Sequence, residues 1–269
     1  MRGEPRFHSD MLDIAGTTAN GFAIGILYPL MLLPLAALLA GDRKLKGAAV
    51  FLLSALLVTG GAWLFARLAV DIEPPRTAGS YLTIAAGAML IAFFIARSGA
   101  APLAAAIAAP LETIVRRFGR LTLFLILAMA LIQFAVVILR YVFGVNSIFM
   151  QESITYLHGA VFLLAAGYAL LTDDHVRVDI FYRESSARFK ARVDFAGAYF
   201  LLFPFCLVAL WAAAPYVATS WSVHEGSTEQ SGIQAVFLLK TLIPLFLVLL
   251  AMAGFSLATR AGQTLRGER

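Results

Sequence analysis

The chain has 269 residues, of which 61% are hydrophobic and 14% charged, with a mean hydropathy of +0.84 and a net charge of +5. A soluble domain carries about 25% charged residues, so this composition excludes an ordinary water-soluble fold and makes membrane spans the unit of counting. The basic balance does not point to nucleic acid, because the basic residues sit in short stretches between apolar runs and no basic stripe has stacking aromatics beside it.

From the N-terminus, MRGEPRFHSDMLDIAG carries Glu4, Asp10 and Asp13. It lacks the basic start followed directly by a short apolar stretch that marks a cleavable leader, so the first apolar run is expected to stay as an anchor. A helix needs about 20 mostly apolar residues to cross the hydrocarbon layer. Runs at 22–40, 48–66, 121–139, 153–172, 195–218 and 233–259 qualify, and 80–96 is slightly short but uncharged. Pro29 and Pro34 are expected to bend the first span, and Gly60 and Gly61 either admit a neighbouring helix or face lipid. Residues 99–111 are rich in alanine and closed by Pro102 and Pro110, which predicts an interfacial or re-entrant piece. Cys206 lies inside an apolar run, has no second cysteine to pair with, and reads as a small buried hydrophobe.

These runs predict an all-α integral membrane protein with about seven transmembrane helices. Seven spans put the termini on opposite sides. With the N-terminus outside, 15 of the 21 basic residues fall on the cytoplasmic side, 5 fall outside, and Lys240 lies within the last span. The positive-inside rule selects that orientation. The text changes near residue 115, which suggests an N-terminal part, 1–115, with about three spans, and a four-span part, 116–269, opening on Arg116, Arg117 and Arg120.

Polar marks concentrate in the second part. Arg140 stands at the outer end of one span and Glu152 at the start of the next, across a turn with Gly144 and Asn146. The two either pair or act as separate interfacial anchors. His175, Arg177 and Asp179 alternate with valines, so an extended segment would place them on one face. The stretch FYRESSARFKARVD interleaves basic and apolar residues, as an interfacial helix on anionic headgroups would. Residues 219–232 hold Glu225 and Glu229 and no basic residue, with Trp221 suited to the interface belt. Lys240 lies close enough to the outer end of the last span to snorkel outward.

Arg140-Tyr-Val-Phe-Gly144, Gln151-Glu152, Gly167-Tyr-Ala-Leu170 and His175-Val-Arg-Val-Asp179 together resemble the signature of the small membrane subunit of TRAP transporters, the tripartite ATP-independent periplasmic class. The resemblance covers roughly residues 116–260. Its pattern of Trp, any residue and two acids is met here by Phe149, Met150, Gln151 and Glu152, so one acid has become an amide. The resemblance implies that the last four spans form the small-subunit unit, a static scaffold for a large permease subunit. That subunit would import a solute, commonly an organic acid, delivered by a periplasmic binding protein and driven by an ion gradient, typically of Na⁺. It implies a multi-pass protein of the bacterial inner membrane with no enzyme activity and no cofactor. Arg140, Phe149, Glu152, His175, Arg177, Asp179, Trp221, Glu225 and Lys240 would then contact a partner subunit or membrane lipids.

Rival classes lack their residues. A haem-binding membrane anchor of an oxidoreductase, the main alternative, wants paired histidines at one depth, and only His158 lies well inside a span. An intramembrane protease wants paired Asp or a Ser–His couple in the bilayer. A self-sufficient transporter wants internal repeats and midplane polar groups, which the four-span unit does not show. No GxxxxGK[ST] loop for ATP occurs.

Overall fold

The computed structural model describes residues 27–69, 78–175 and 180–268, and every regular element among them is helical. In order these are α1 (Tyr28–Met31), α2 (Leu33–Ala40), α3 (Lys44–Ala69), α4 (Ala78–Ser98), α5 (Ala100–Tyr141), α6 (Ile148–Thr172), α7 (Ile180–Arg183), α8 (Ala187–Gly197), a π turn (Ala198–Leu202), α9 (Phe203–Ser222) and α10 (Val236–Arg266). The protein is an all-α membrane protein. All seven apolar runs carry helix. Among the described residues, Lys44–Gly61, Ala100–Tyr141, Ile148–Thr172, Ala187–Ser222 and Val236–Arg266 are long and apolar enough to cross a bilayer. The runs at 22–40 and 80–96 hold shorter apolar helices, Tyr28–Ala40 and Ile84–Ser98, and part of the run at 22–40 lies outside the described residues.

The chain divides into two compact units. One gathers the residues up to Pro110 with Val178–Phe203 and Phe255–Arg269. The other is Leu111–Arg177 with Pro204–Gly254. In the first unit Pro29 and Pro34 each stand in the first turn of a short helix, and the chain breaks between α1 and α2 at Leu32. Proline lacks the donor that an interior turn needs, which is the bend the sequence predicts. Helix α3 packs on α2 and α4. At Gly47 a Cβ would stand 3.0 Å from Ile95 Cγ2, so the missing side chain sets the α3–α4 approach there, beside the buried Phe51 and Ile95. Gly60 and Gly61 have nothing within 4 Å of an added Cβ among the described residues. Helix α8 buries Ala191 and Phe195 and exposes Arg188, Phe189, Arg192 and Val193, the amphipathic pattern of an interfacial helix.

Residues 99–111 do not form a separate piece. Gly99, at φ +93°, turns the chain out of α4, and α5 then runs for 42 residues through Pro102 and Pro110. Pro102 lies in the first turn, where a missing N–H costs nothing. Pro110 forfeits one interior bond, and long helix on either side outweighs it. At 1.5 Å per residue α5 is about 63 Å long, roughly twice the hydrocarbon thickness. Only its apolar second half, after Arg120, suits the lipid. There Phe124, Leu127, Leu131 and Phe134 are all exposed.

The second unit is held by close contact of α6 with α10. The core residues are Val115, Leu164, Leu171, Leu249 and Ala253, with Phe118, Tyr168 and Leu245 packed against them. Gly167 is the tight point, because a Cβ there would lie 2.9 Å from the Leu249 carbonyl oxygen and 3.0 Å from its carbon. The next residue of α6, Tyr168, covers Gly119 of α5 so closely that no side chain fits at 119. Apolar helices in lipid gain nothing from hydrophobic association, so such backbone approach is what holds them together.

Gly167→Ala therefore forces α6 from α10 and is expected to cost about 1–3 kcal/mol by overpacking, read as a lowered melting temperature of purified protein in mild detergent. Gly60→Ala, in open space, is expected to be neutral or slightly stabilising in the same assay.

Candidate functional site

Several polar marks of the second unit gather at one end, where the N-terminal turns of α6, the end of α9 and the start of α10 meet the loop 223–235. Ser147 caps α6, its hydroxyl accepting from the Met150 N–H at 3.4 Å. Helix α6 therefore starts at Ile148, and Glu152 stands one turn inside it rather than at its first residue. At that depth the helix dipole does little for a carboxylate, since the effect fades within the first turn.

Glu152 has a different task. One carboxylate oxygen accepts the hydroxyl of Ser227, and the other accepts the backbone N–H of Ile233 at 2.6 Å. The Tyr156 hydroxyl, one turn further along α6, donates to the Ile233 carbonyl at 3.5 Å. Both oxygens are thus given to the loop, and no ion pair joins Glu152 to Arg140 among the described residues. Gly232 lies against the carboxylate, where an added Cβ would come within 2.6 Å of an oxygen. Gly226 is equally crowded by the Gln234 side chain. The glycines at 226 and 232 let the loop fold down onto α6.

The second tie uses the other acid. Lys240 of α10 forms an ion pair with Glu225 at 2.5 Å and stands over the Tyr216 ring, 4.0 Å from its centroid. The Glu225 carbonyl also accepts from the Phe237 N–H at 3.3 Å. The Lys240 ammonium bonded to Glu225 holds that carboxyl below the usual carboxylate range. Trp221 donates its indole N–H to the Thr241 hydroxyl at 2.8 Å and meets the Phe237 ring edge-on at 4.8 Å. The loop is therefore an ordered cap, not a loose solvated turn, with Glu229 exposed on it.

The structure thus brings Glu152, Trp221, Glu225 and Lys240 into one assembly. Arg140, in the last turn of α5, and Phe149, in the first turn of α6, are exposed on either side of the 142–147 turn. Tyr141, Val142, Phe143 and Val145 are exposed there as well. Gln151 donates to Asn146 across that turn. His175 is exposed just past the far end of α6, where Asp173 closes the helix in a left-handed conformation, φ +63°. Arg177 and Asp179 lie outside the described residues, and with them the shared face expected for the three. Sequence reasoning missed Tyr156, Tyr216, Ser227 and Ile233. The glycines at 226 and 232 were the visible hint, because glycine in a short loop marks close backbone approach.

A family model described as tripartite ATP-independent periplasmic transporters, DctQ component, matches residues 129–264, just over half of the chain. Comparison with curated proteins and with solved structures gives no match.

The Glu225 pKa is lower folded than unfolded, so its stabilisation is full above the ordinary carboxylate range and lost as pH falls through the folded value. The melting temperature of the purified protein is expected to drop with acid below that range, and Glu225→Gln is expected to flatten that part of the profile. Glu152→Gln is expected to speed hydrogen exchange at the Ile233 amide several-fold while exchange in the α6 core stays unchanged.

Proposed function

The chain belongs to the DctQ component family of tripartite ATP-independent periplasmic transporters, and we propose that it acts as the fixed membrane scaffold of a large, ion-coupled permease subunit. The family is one of transporter components and not of enzymes. The family match over 129–264 carries the reading, and the makeup of the helices supports it. In this reading the large subunit holds substrate and ion sites and moves against the apolar faces of the small subunit. The solute, of an organic-acid class, arrives on a periplasmic binding protein, and an ion gradient, Na⁺ in the simplest case, drives uptake.

We further propose the inner membrane as location, with the N-terminus periplasmic and the C-terminus cytoplasmic, as the distribution of Lys and Arg favours. The division into an N-terminal part, 1–115, and a small-subunit domain, 116–269, belongs to the same proposal. The 223–235 cap then faces the periplasm. Its two tied acids, Glu152 and Glu225, organise it, and the exposed Glu229 is left to meet the binding protein. Arg140, Phe149 and the exposed apolar turn between them, with His175, Arg177 and Asp179 at the other end of α6, are assigned to the large subunit or lipid headgroups.

Affinity purification in mild detergent is expected to bring a large multi-span subunit with the chain, and the chain alone in proteoliposomes is expected to move no solute. Uptake by the isolated protein would overturn the scaffold role. Glu229→Lys is expected to weaken binding-protein docking several-fold without lowering the melting temperature. An unchanged affinity would remove Glu229 from the docking surface.

A further inference from the structure

In an unbroken helix the Leu35 N–H would bond to the Met31 carbonyl, four residues back. Here the Tyr199 hydroxyl stands between them, accepting from Leu35 N at 2.9 Å and donating to Met31 O at 2.7 Å. The gap it fills follows from Pro34, which has no N–H to give and whose ring pushes the preceding turn away. Tyr199 projects from the π turn Ala198–Leu202, and its ring lies between Phe195, 4.8 Å away, and Phe203, 5.2 Å away and edge-on. Phe195 also reaches the end of α10, where a Cβ on Gly262 would be 3.9 Å from that ring and 4.0 Å from Leu38 Cβ. The paired helices α1 and α2, the α8–π–α9 segment and the end of α10 therefore meet at one place. Residues 195–203 and 262 lie inside the family match, and residues 31–38 lie outside it.

We infer that Tyr199 is a positioning residue that fastens the N-terminal helices to the family domain, and that residues 195–203 with the end of α10 form an interaction surface whose partner is this chain's own α1–α2 pair. Apolar contact cannot by itself prefer a helix over lipid tails. A hydroxyl that satisfies both an orphan donor and an orphan acceptor can, because lipid tails offer neither. The inference concerns contacts within one chain and stands or falls separately from the transporter reading.

The test is a cysteine pair, Leu38→Cys with Gly262→Cys, in the full-length chain carrying Cys206→Ala. The 4.0 Å Cβ separation falls within the disulfide range of about 3.5–4.5 Å. In native membranes with oxidant, most of the protein is expected to form an intramolecular, reductant-sensitive cross-link. Leu53→Cys with Gly262→Cys, which uses an exposed α3 position, is expected to give none. Adding Tyr199→Phe keeps the ring. It is expected to slow cross-linking several-fold and to speed exchange at the Leu35 amide several-fold, while the Ala36 amide, bonded to Leu32 O, is unaffected. No cross-link in the Tyr199 chain overturns the surface. Unchanged Leu35 exchange in Tyr199→Phe overturns the role of the hydroxyl.

Discussion

Backbone contact at Gly167 is the constraint on which the second unit depends. Helix α6 carries Glu152, Tyr156, Gly159 and Gly167 at spacings of four, three and eight residues, which put them on one face. Gly167 lies against the Leu249 backbone and Gly159 within 3.2 Å of Leu239 as a Cβ would measure it. Both neighbours are on α10. Bringing the two backbones together at these points fixes the register of the whole pair, and the register places Glu152 beside the loop that leads into α10. The carboxylate clamp is in this sense a consequence of a missing side chain four turns away.

The clamp changes the meaning of the acidic loop. Judged by charge alone, Glu225 and Glu229 are equivalent candidates for an outside contact. Their surroundings differ. Glu225 neutralises the ammonium that α10 carries at Lys240, and Glu152 takes up a backbone N–H and a hydroxyl that the loop would otherwise leave to water. Carboxylates whose oxygens are already bonded fold the loop, and an exposed one has its charge to offer elsewhere. The intramembrane lysine, often a sign of function, is here satisfied by an acid and an aromatic face within its own unit.

Legibility in the sequence followed the physical range of each interaction. The helices were readable because apolar length is a local property, and the 61% hydrophobic content left few places for a break. Their ends and joints were less readable. Residues 99–111 looked like a separate piece because two prolines bounded them, yet proline in a first turn is silent and a single interior proline does not stop a helix of 42 residues. Gly60-Gly61 and Gly167 carry the same local signal for close packing, and only the tertiary neighbour tells them apart. Glu152, Trp221, Glu225 and Lys240 were each visible as polar residues near span ends. Their partners, Ser227, Ile233, Thr241 and Tyr216, come from sequence separations that no periodicity encodes.

The polar groups inside the helices also bear on what the protein does. Hydroxyls in the spans mostly turn back on their own helix: Ser54 to Val50 O, Thr59 to Ala55 O, Thr122 to Gly119 O, Thr259 to Phe255 O. A hydroxyl donor used this way is not free to orient a substrate. Among the described residues Ser220 and Ser256 each keep a buried hydroxyl without a hydrogen-bond partner, but each is one neutral oxygen, and a bound cation typically takes several. The groups that tie the cap, Glu152, Trp221, Glu225 and Lys240, stand instead near helix ends, where they hold the loop in place. Helices built in this way fit the scaffold role that we propose for this chain.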